Sequence, residues 1–142
     1  MSMLFGDNAA NNYSLSGKDY AFMNLFYSCT NIVNVSSNFL PATTLAVKCH
    51  EHMFTYCTNL TTAPKLPATT LAQSCYYAMF GNCKKLNYIK MLATDISARN
   101  CLGDWVYKVS TKGTFVKNSA MTTLPTGYSG IPSGWKVQNA TS

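Results

Sequence analysis

Two segments of the chain repeat each other, and this repetition constrains the fold more than any other feature. "LPATTLAVKCHEHMF" (40–54) and "LPATTLAQSCYYAMF" (66–80) share their first seven residues, and the Cys and the Met-Phe pair return at the same offsets. The cysteines follow the same spacing. From Cys49 onward, gaps of eight and eighteen residues alternate, and together they make the offset of 26 residues between the two segments. A fixed period of this size predicts windings that stack on one another as a solenoid.

The period also predicts the secondary structure of each winding. A repeat of 26 residues lies within the 20–29 residues of leucine-rich repeats, which begin with a short strand. Strands are predicted at about 32–35, 60–63 and 86–91, with a weaker one at "GTFV" (113–116). From Leu45 onward the apolar residues fall at spacings of three and four, which indicates a helix. We therefore predict an α/β leucine-rich-repeat solenoid, with a parallel sheet on one face and short helices on the other.

The whole chain, 1–142, is predicted to form one capped domain. Residues 1–31 would supply an N-terminal cap and the first helix, with "SMLFG" beginning the sheet. Repeats would occupy 32–108. Residues 109–142, where the period fades, would form a C-terminal cap that ends in a strand around Trp135–Val137. Both ends of so short a stack need covering, because an exposed sheet edge pairs with other molecules.

The tandem "LPATTLA..C...MF..C..L" units, together with the ending "LNYIK...ATDIS......W.....STKGTFVKNS......GIPSGW", give the chain a family resemblance. It resembles the BspA-like leucine-rich-repeat surface proteins of anaerobic gut and oral bacteria over nearly its whole length. The resemblance implies display outside the cytoplasm, binding to host proteins, glycans or other cells, and no catalysis. It also implies that such units follow a signal peptide and other domains.

Charge and hydropathy exclude several classes of partner. The formal charge is +6, but the lysines are scattered and only Lys84–Lys85 forms a pair, so we expect no nucleic-acid binding. No apolar run approaches the ~18 residues of a membrane span, so we expect no membrane insertion. The first residues lack the basic and apolar regions of a signal peptide. Either the protein stays in the cytoplasm, or the chain is a piece of a longer protein. The repeats favour the second, and we expect an exported protein located outside the cell or at its surface.

The six cysteines include no C-x-x-C pair, which argues against a zinc site. On the predicted helices their Cα atoms would lie roughly 8–12 Å apart, which is too far for disulfides, so we predict buried free thiols. The segment "CHEHMF" (49–54) looks like a metal cluster. On a helix, however, His50 and His52 would lie about 200° apart, so they could not share one ion. We predict no metal site and no cofactor.

Enzyme motifs fail on inspection. "GYSGI" (127–131) misses the last glycine of G-x-S-x-G, and "SGKDY" (16–20) lacks the flanking residues of a phosphate loop. Only five acidic residues occur, and the repeat pairs none of them for acid–base catalysis. We expect the protein not to be an enzyme.

The repeat separates positions that are fixed between copies from positions that vary. The large side chains at Phe26, Phe54, Phe80 and Trp105 are predicted to form the core. Variable positions are predicted to face outward and to bind a partner, and the candidates are His50, His52, Tyr56, Tyr76, Tyr77, Tyr88 and Tyr107. The predicted function is a binding or adhesion module for a protein or glycan on a host or neighbouring cell, favoured as a monomer. The alternative is a structural spacer or assembly element of a cell-surface or virion appendage.

Overall fold

A computed structural model describes residues 14–141. The sheet consists of three parallel strands in chain order, β1 (Tyr88–Met91), β2 (Thr114–Lys117) and β3 (Lys136–Asn139). Single parallel bridges from Asn34 to Thr62 and from Thr62 to Tyr88 continue the same line through the earlier windings. Strand formation near 86–91, 113–116 and the C-terminus therefore agrees with the sequence. At 32–35 and 60–63 only isolated bridges form.

The prediction of helices, and with it the α/β leucine-rich-repeat fold, was wrong. Residues 14–141 contain no helix. The segments expected to be helical are ribbons of consecutive turns, which we name ribbon 1 (19–28), ribbon 2 (47–56), ribbon 3 (73–82) and ribbon 4 (99–108). The expected start of the sheet at "SMLFG" lies outside the described residues, and the division into caps and repeats stays a prediction.

Backbone hydrogen bonding explains why ribbons form instead of helices. In ribbon 2 every second N–H closes a turn within the ribbon, as from Met53 to the His50 carbonyl (3.2 Å). The N–H groups between them donate to the next winding, as from His50 to Cys75 (3.0 Å) and from Phe54 to Met79 (2.9 Å). An α-helix uses nearly all its N–H groups internally and would leave none to join the windings.

The same alternation explains the misleading apolar spacing. The ribbons repeat every four residues, so that Cys49, Met53 and Cys57 form one buried line. Over ten residues this period is close to the 3.6 residues of a helix. A ribbon differs from a helix because every second backbone N–H donates to the next winding. This is a property of the backbone, and the pattern of apolar side chains does not reveal it.

Each ribbon contains three residues with positive φ, although none of them is glycine. Positive φ at the third residue is what type II turns require, and glycine or asparagine is the usual occupant. Four of the twelve are Asn or Asp, and the others carry side chains that disfavour this conformation. The full set is Tyr20, Asn24, Ser28, Lys48, His52, Tyr56, Ser74, Ala78, Asn82, Asn100, Asp104 and Lys108.

Relief of this strain gives a test of the ribbon geometry. Ala78 has φ of 49° but is also buried, so in Ala78→Gly the relief of strain should roughly offset the loss of a buried methyl group and the higher entropy of glycine in the unfolded chain, and the free energy of unfolding should stay within about 0.5 kcal/mol of the parent's. Ala98 does not have positive φ, so the control Ala98→Gly relieves no strain and should lower the free energy of unfolding by about 0.5–1 kcal/mol. Urea unfolding measures both. Equal destabilisation by the two changes would contradict the ribbon conformation.

Candidate functional site

Aromatic rings at equivalent positions of ribbons 1, 2 and 3 stack on one another, and Trp105, from a different position of ribbon 4, extends the stack. Phe22 lies 5.6 Å from His50, which lies 5.9 Å from Tyr76, and Tyr76 lies 6.1 Å from Trp105 (ring centroids). His50 and Tyr76 are 2% and 1% exposed, so the prediction that they face outward was wrong. The residue type varies at this position, but each of the three residues Phe22, His50 and Tyr76 supplies a flat ring that fits the stack.

A second buried stack agrees with the prediction from the repeat. Phe26 lies 5.5 Å from Phe54, and Phe54 lies 5.7 Å from Phe80 with the rings nearly parallel. Phe54, Phe80 and Trp105 are fully buried, and Phe26 is half-buried against the same core. Identity between copies therefore marked the core correctly.

On the outer face of the ribbons, four rings meet edge to face. We name this group the aromatic belt: Tyr27, His52, Tyr56 and Tyr77. Tyr27 lies 6.2 Å from His52 and 5.8 Å from Tyr56, and His52 lies 5.7 Å from Tyr77. Tyr27 and Tyr56 are each 45% exposed, while His52 and Tyr77 are half-buried. The belt is thus a surface cluster that three windings build together.

The ribbon backbone positions the belt. His52 and Tyr56 occupy two of the positive-φ positions of ribbon 2. Tyr77 lies against Gly103 in the next winding, where an added Cβ would come within 2.7 Å of the ring. Only glycine at 103 therefore leaves the Tyr77 ring in its place.

Hydrogen bonding fixes the protonation pattern of the belt histidine. Thr55 Oγ1 donates its one proton to the carbonyl of Ala78 (2.6 Å). His52 Nδ1 lies 3.1 Å from Thr55 Oγ1. Because the Thr55 hydroxyl has no second proton to donate, His52 Nδ1 must donate its proton to Thr55 Oγ1. In the neutral ring this leaves Nε2 as an acceptor, so the belt combines three phenol groups with one imidazole acceptor.

Two other predicted residues lie apart from the belt. Tyr88 is half-buried in β1 and lines a cavity of about 300 Å³ with Lys65 and Lys90. Tyr107 is half-buried in ribbon 4, with its ring 4.8 Å from that of Tyr128. The structure thus brings together His52, Tyr56 and Tyr77 and does not bring Tyr88 or Tyr107 to them.

Sequence reasoning missed one member of the belt, Tyr27. The outward positions were read from the two matching copies that begin at Leu40, and ribbon 1 lies before them. Tyr27 directly follows the Leu25–Phe26 pair, which the repeat aligns with Met53–Phe54. Extending the comparison one residue further would have found it.

All six cysteines are free thiols, and five are buried, as the sequence predicted, while Cys29 is partly buried. Burial raises the pKa of Cys49 and of Cys57 to about 11, and it raises the pKa of Cys75 and Cys83 further. Cys57 Sγ donates to the carbonyl of Phe26 (3.1 Å), and Cys83 Sγ donates to that of Phe54 (3.0 Å). These protonated thiols join one winding to the one before it.

No group of three or more His, Cys, Asp or Glu residues within 14–141 is arranged to hold a metal ion. The same residues contain no helix long and apolar enough to cross a membrane. Comparison of the chain with family models, curated proteins and solved structures returned no match. The resemblance to BspA-like surface proteins therefore stays a prediction.

Burial of His50 has a consequence for stability against pH. Burial lowers the pKa of His50 from 6.5 to about 3, and its Nδ1 has no hydrogen-bond partner within the described residues. Below pH 6.5 His50 binds a proton in the unfolded chain but stays neutral in the folded chain until the pH approaches 3. Stability is therefore lost as the pH falls from about 6.5 towards 3, by about 3 kcal/mol between pH 7 and pH 4.5.

We expect His50→Phe to remove this loss and to retain the ring stack. The measurement is urea unfolding at pH 7 and at pH 4.5. His52→Phe, which removes the other imidazole and leaves His50 in place, should lose stability on acidification as the parent chain does. If His50→Phe were as sensitive to acid as the parent, His50 would not be buried in its neutral form.

Proposed function

We propose that the chain is a non-enzymatic binding module that recognises a protein or glycan partner through the aromatic belt. We propose further that it acts outside the cell or at the cell surface, within a longer adhesion protein. The observation that carries the proposal is the belt itself, where Tyr27 and Tyr56 remain 45% exposed although their rings contact each other and the Tyr27 ring also contacts His52. Tyrosine offers a large rigid contact area with a polar end, which suits recognition surfaces.

The belt is also ordered before any partner arrives. Its rings support one another, and the ribbons below them are joined by five hydrogen bonds between each neighbouring pair. Binding therefore immobilises few side chains, which lowers the entropy cost of association. A role without catalysis is supported by the buried, protonated thiols and by the placement of His50 in the core.

Removal of the exposed rings tests the belt. The chain is screened on a glycan microarray and on a panel of immobilised extracellular-matrix proteins, and each ligand found is then titrated. Tyr27→Ala/Tyr56→Ala should weaken binding at least tenfold, because buried aromatic contacts dominate such interfaces. Tyr20→Ala/Leu25→Ala removes side chains of similar exposure outside the belt and should bind normally. Unchanged binding by the Tyr27/Tyr56 variant would show that the belt does not contact the partner and would contradict the proposal.

A second candidate function, an assembly element, is favoured by the edge of ribbon 1. The carbonyls of ribbons 2, 3 and 4 that face the preceding winding all accept hydrogen bonds, as Cys49 does from the Phe22 N–H. Their counterparts in ribbon 1 accept none within the described residues. These carbonyls belong to Asp19, Ala21, Met23, Leu25 and Tyr27. Four large side chains are also exposed on this ribbon: Tyr20, Met23, Leu25 and Tyr27.

The polarity of this edge limits how copies could assemble. Two such edges would place carbonyl against carbonyl, so they cannot pair with each other. Donors exist at the far end, in ribbon 4, but Ser129 Oγ accepts from the Asp104 N–H (3.0 Å) and the Tyr128 carbonyl from the Val106 N–H (3.2 Å). Growth would therefore have to be head to tail, after this covering loop moves.

Displacement of the loop tests the assembly candidate. We expect the purified chain to be a monomer by light scattering at 10–100 µM. In Gly130→Val, an added Cβ would collide with the Pro125 carbonyl oxygen and move the loop, so the assembly candidate predicts concentration-dependent oligomers. Circular dichroism checks that the variant keeps its fold. A folded variant that stays monomeric would remove this candidate.

A further inference from the structure

A cavity of about 560 Å³ lies beside the end of ribbon 4, away from the aromatic belt. It is lined by Lys108 and residues that follow it, by Tyr128, Pro132 and Ser133, and by Lys84 from the preceding winding. Its volume falls within the range of small-ligand sites. None of the four belt residues lines it, so it is a separate feature of the surface.

Two buried tryptophans hold the walls of this cavity in place. Trp105 Nε1 donates to the carbonyl of Gly130 (2.8 Å), next to the Tyr128–Ser129 turn. Trp135 Nε1 donates to the carbonyl of Ser110 (2.7 Å), which itself lines the cavity. Both indoles are at least 94% buried. The walls are therefore anchored to the core, and the cavity is formed before a ligand enters.

The charge at the cavity is positive and uncompensated. Lys84 and Lys108 both line it, and neither forms an ion pair, since the one ion pair within residues 14–141 joins Lys48 to Glu51. The Lys108 ammonium lies 5.4 Å from the centre of the Tyr107 ring, which neutralises no charge. Two ammonium groups at one concave site attract and hydrogen-bond an anion.

The remaining lining indicates what carries that anion. The hydroxyls of Thr111, Tyr128 and Ser133 make no hydrogen bond within the described part of the chain, so they can donate to and accept from ligand hydroxyls. Tyr128 is 55% exposed although its ring meets that of Tyr107 at 74°, so much of its apolar surface stays accessible to a ligand. Arginine, the usual residue for bidentate phosphate contacts, is absent from the lining.

We propose that this cavity binds an acidic sugar, that is, a sugar residue bearing a carboxylate or a sulfate. Lys84 and Lys108 hold the anionic group, the free hydroxyls contact the sugar hydroxyls, and the ring of Tyr128 packs against a face of the sugar. The cavity holds one or two sugar residues at most. The anion has two chemical sources, a sugar acid or a sulfated sugar, and the ring and hydroxyl contacts are common to both.

The full chain is titrated by calorimetry with N-acetylneuraminic acid, glucuronic acid, galactose 6-sulfate and neutral galactose. At least one of the acidic sugars should bind about tenfold or more tightly than galactose, and this preference should fall as salt rises. The sugar acids and the sulfated sugar separate the two sources of the anion. Equal affinity for galactose and all the acidic sugars, or binding of none of them, would overturn the proposal.

Matched lysine pairs test the location. Lys84→Ala/Lys108→Ala should reduce affinity for the acidic sugar at least tenfold. Lys65→Ala/Lys90→Ala removes the same charge from the cavity of about 300 Å³ that Tyr88 lines, and it should bind normally. Equal losses in both variants would show attraction to net charge alone and would contradict a site at Lys84 and Lys108.

A third comparison separates a sugar site from a bare anion site. Tyr128→Ala should weaken binding of the acidic sugar severalfold and leave binding of inorganic sulfate unchanged. If it changed neither, the ring would not contact the sugar and the proposed class of ligand would be wrong. The belt variant Tyr27→Ala/Tyr56→Ala should bind the acidic sugar normally, so that failure of the belt proposal and failure of this one give different results.

Discussion

Alternation of the backbone N–H groups is the interaction on which the rest of the structure depends. Half of these groups in a ribbon close turns, and the other half donate to the following winding, as His52 does to Tyr77 (2.9 Å). The alternation makes the ribbon a building element that extends sideways, which a helix cannot do. It also gives the stack a direction, because every backbone N–H that joins two ribbons belongs to the earlier winding and donates to the later one.

This register brings equivalent side chains into contact and so determines the core. Rings lie over rings, and thiols at one position reach a carbonyl of the previous winding. Cysteine suits that position because it is small and apolar and still donates a hydrogen bond. Burial raises the pKa of these thiols and keeps them protonated. They therefore contribute to packing and not to reaction chemistry.

The cost of the arrangement lies in the backbone. In the four ribbons twelve residues other than glycine adopt positive φ, a conformation that each would avoid on its own. Such strain persists where surrounding bonds determine it, and here the five hydrogen bonds between neighbouring ribbons do so. Some of the strained positions also serve the surface, since His52 and Tyr56 belong to the exposed belt. The backbone strain and the proposed recognition surface therefore share two residues, His52 and Tyr56.

Several features could be predicted from the residues alone: the period, the core positions Phe54, Phe80 and Trp105, the burial of most of the thiols, and the strands near Tyr88 and Lys136. These follow from side-chain identity, which repeats when each layer packs on an equivalent layer. The sequence could not decide between helix and ribbon, because a four-residue and a 3.6-residue apolar period coincide over ten residues. It also could not show that a varying position such as His50 is buried, or that Tyr27 meets Tyr56. These points became known from the three-dimensional structure. The backbone hydrogen bonds between windings determine which side chains come into contact, and no pattern of residue types encodes those bonds.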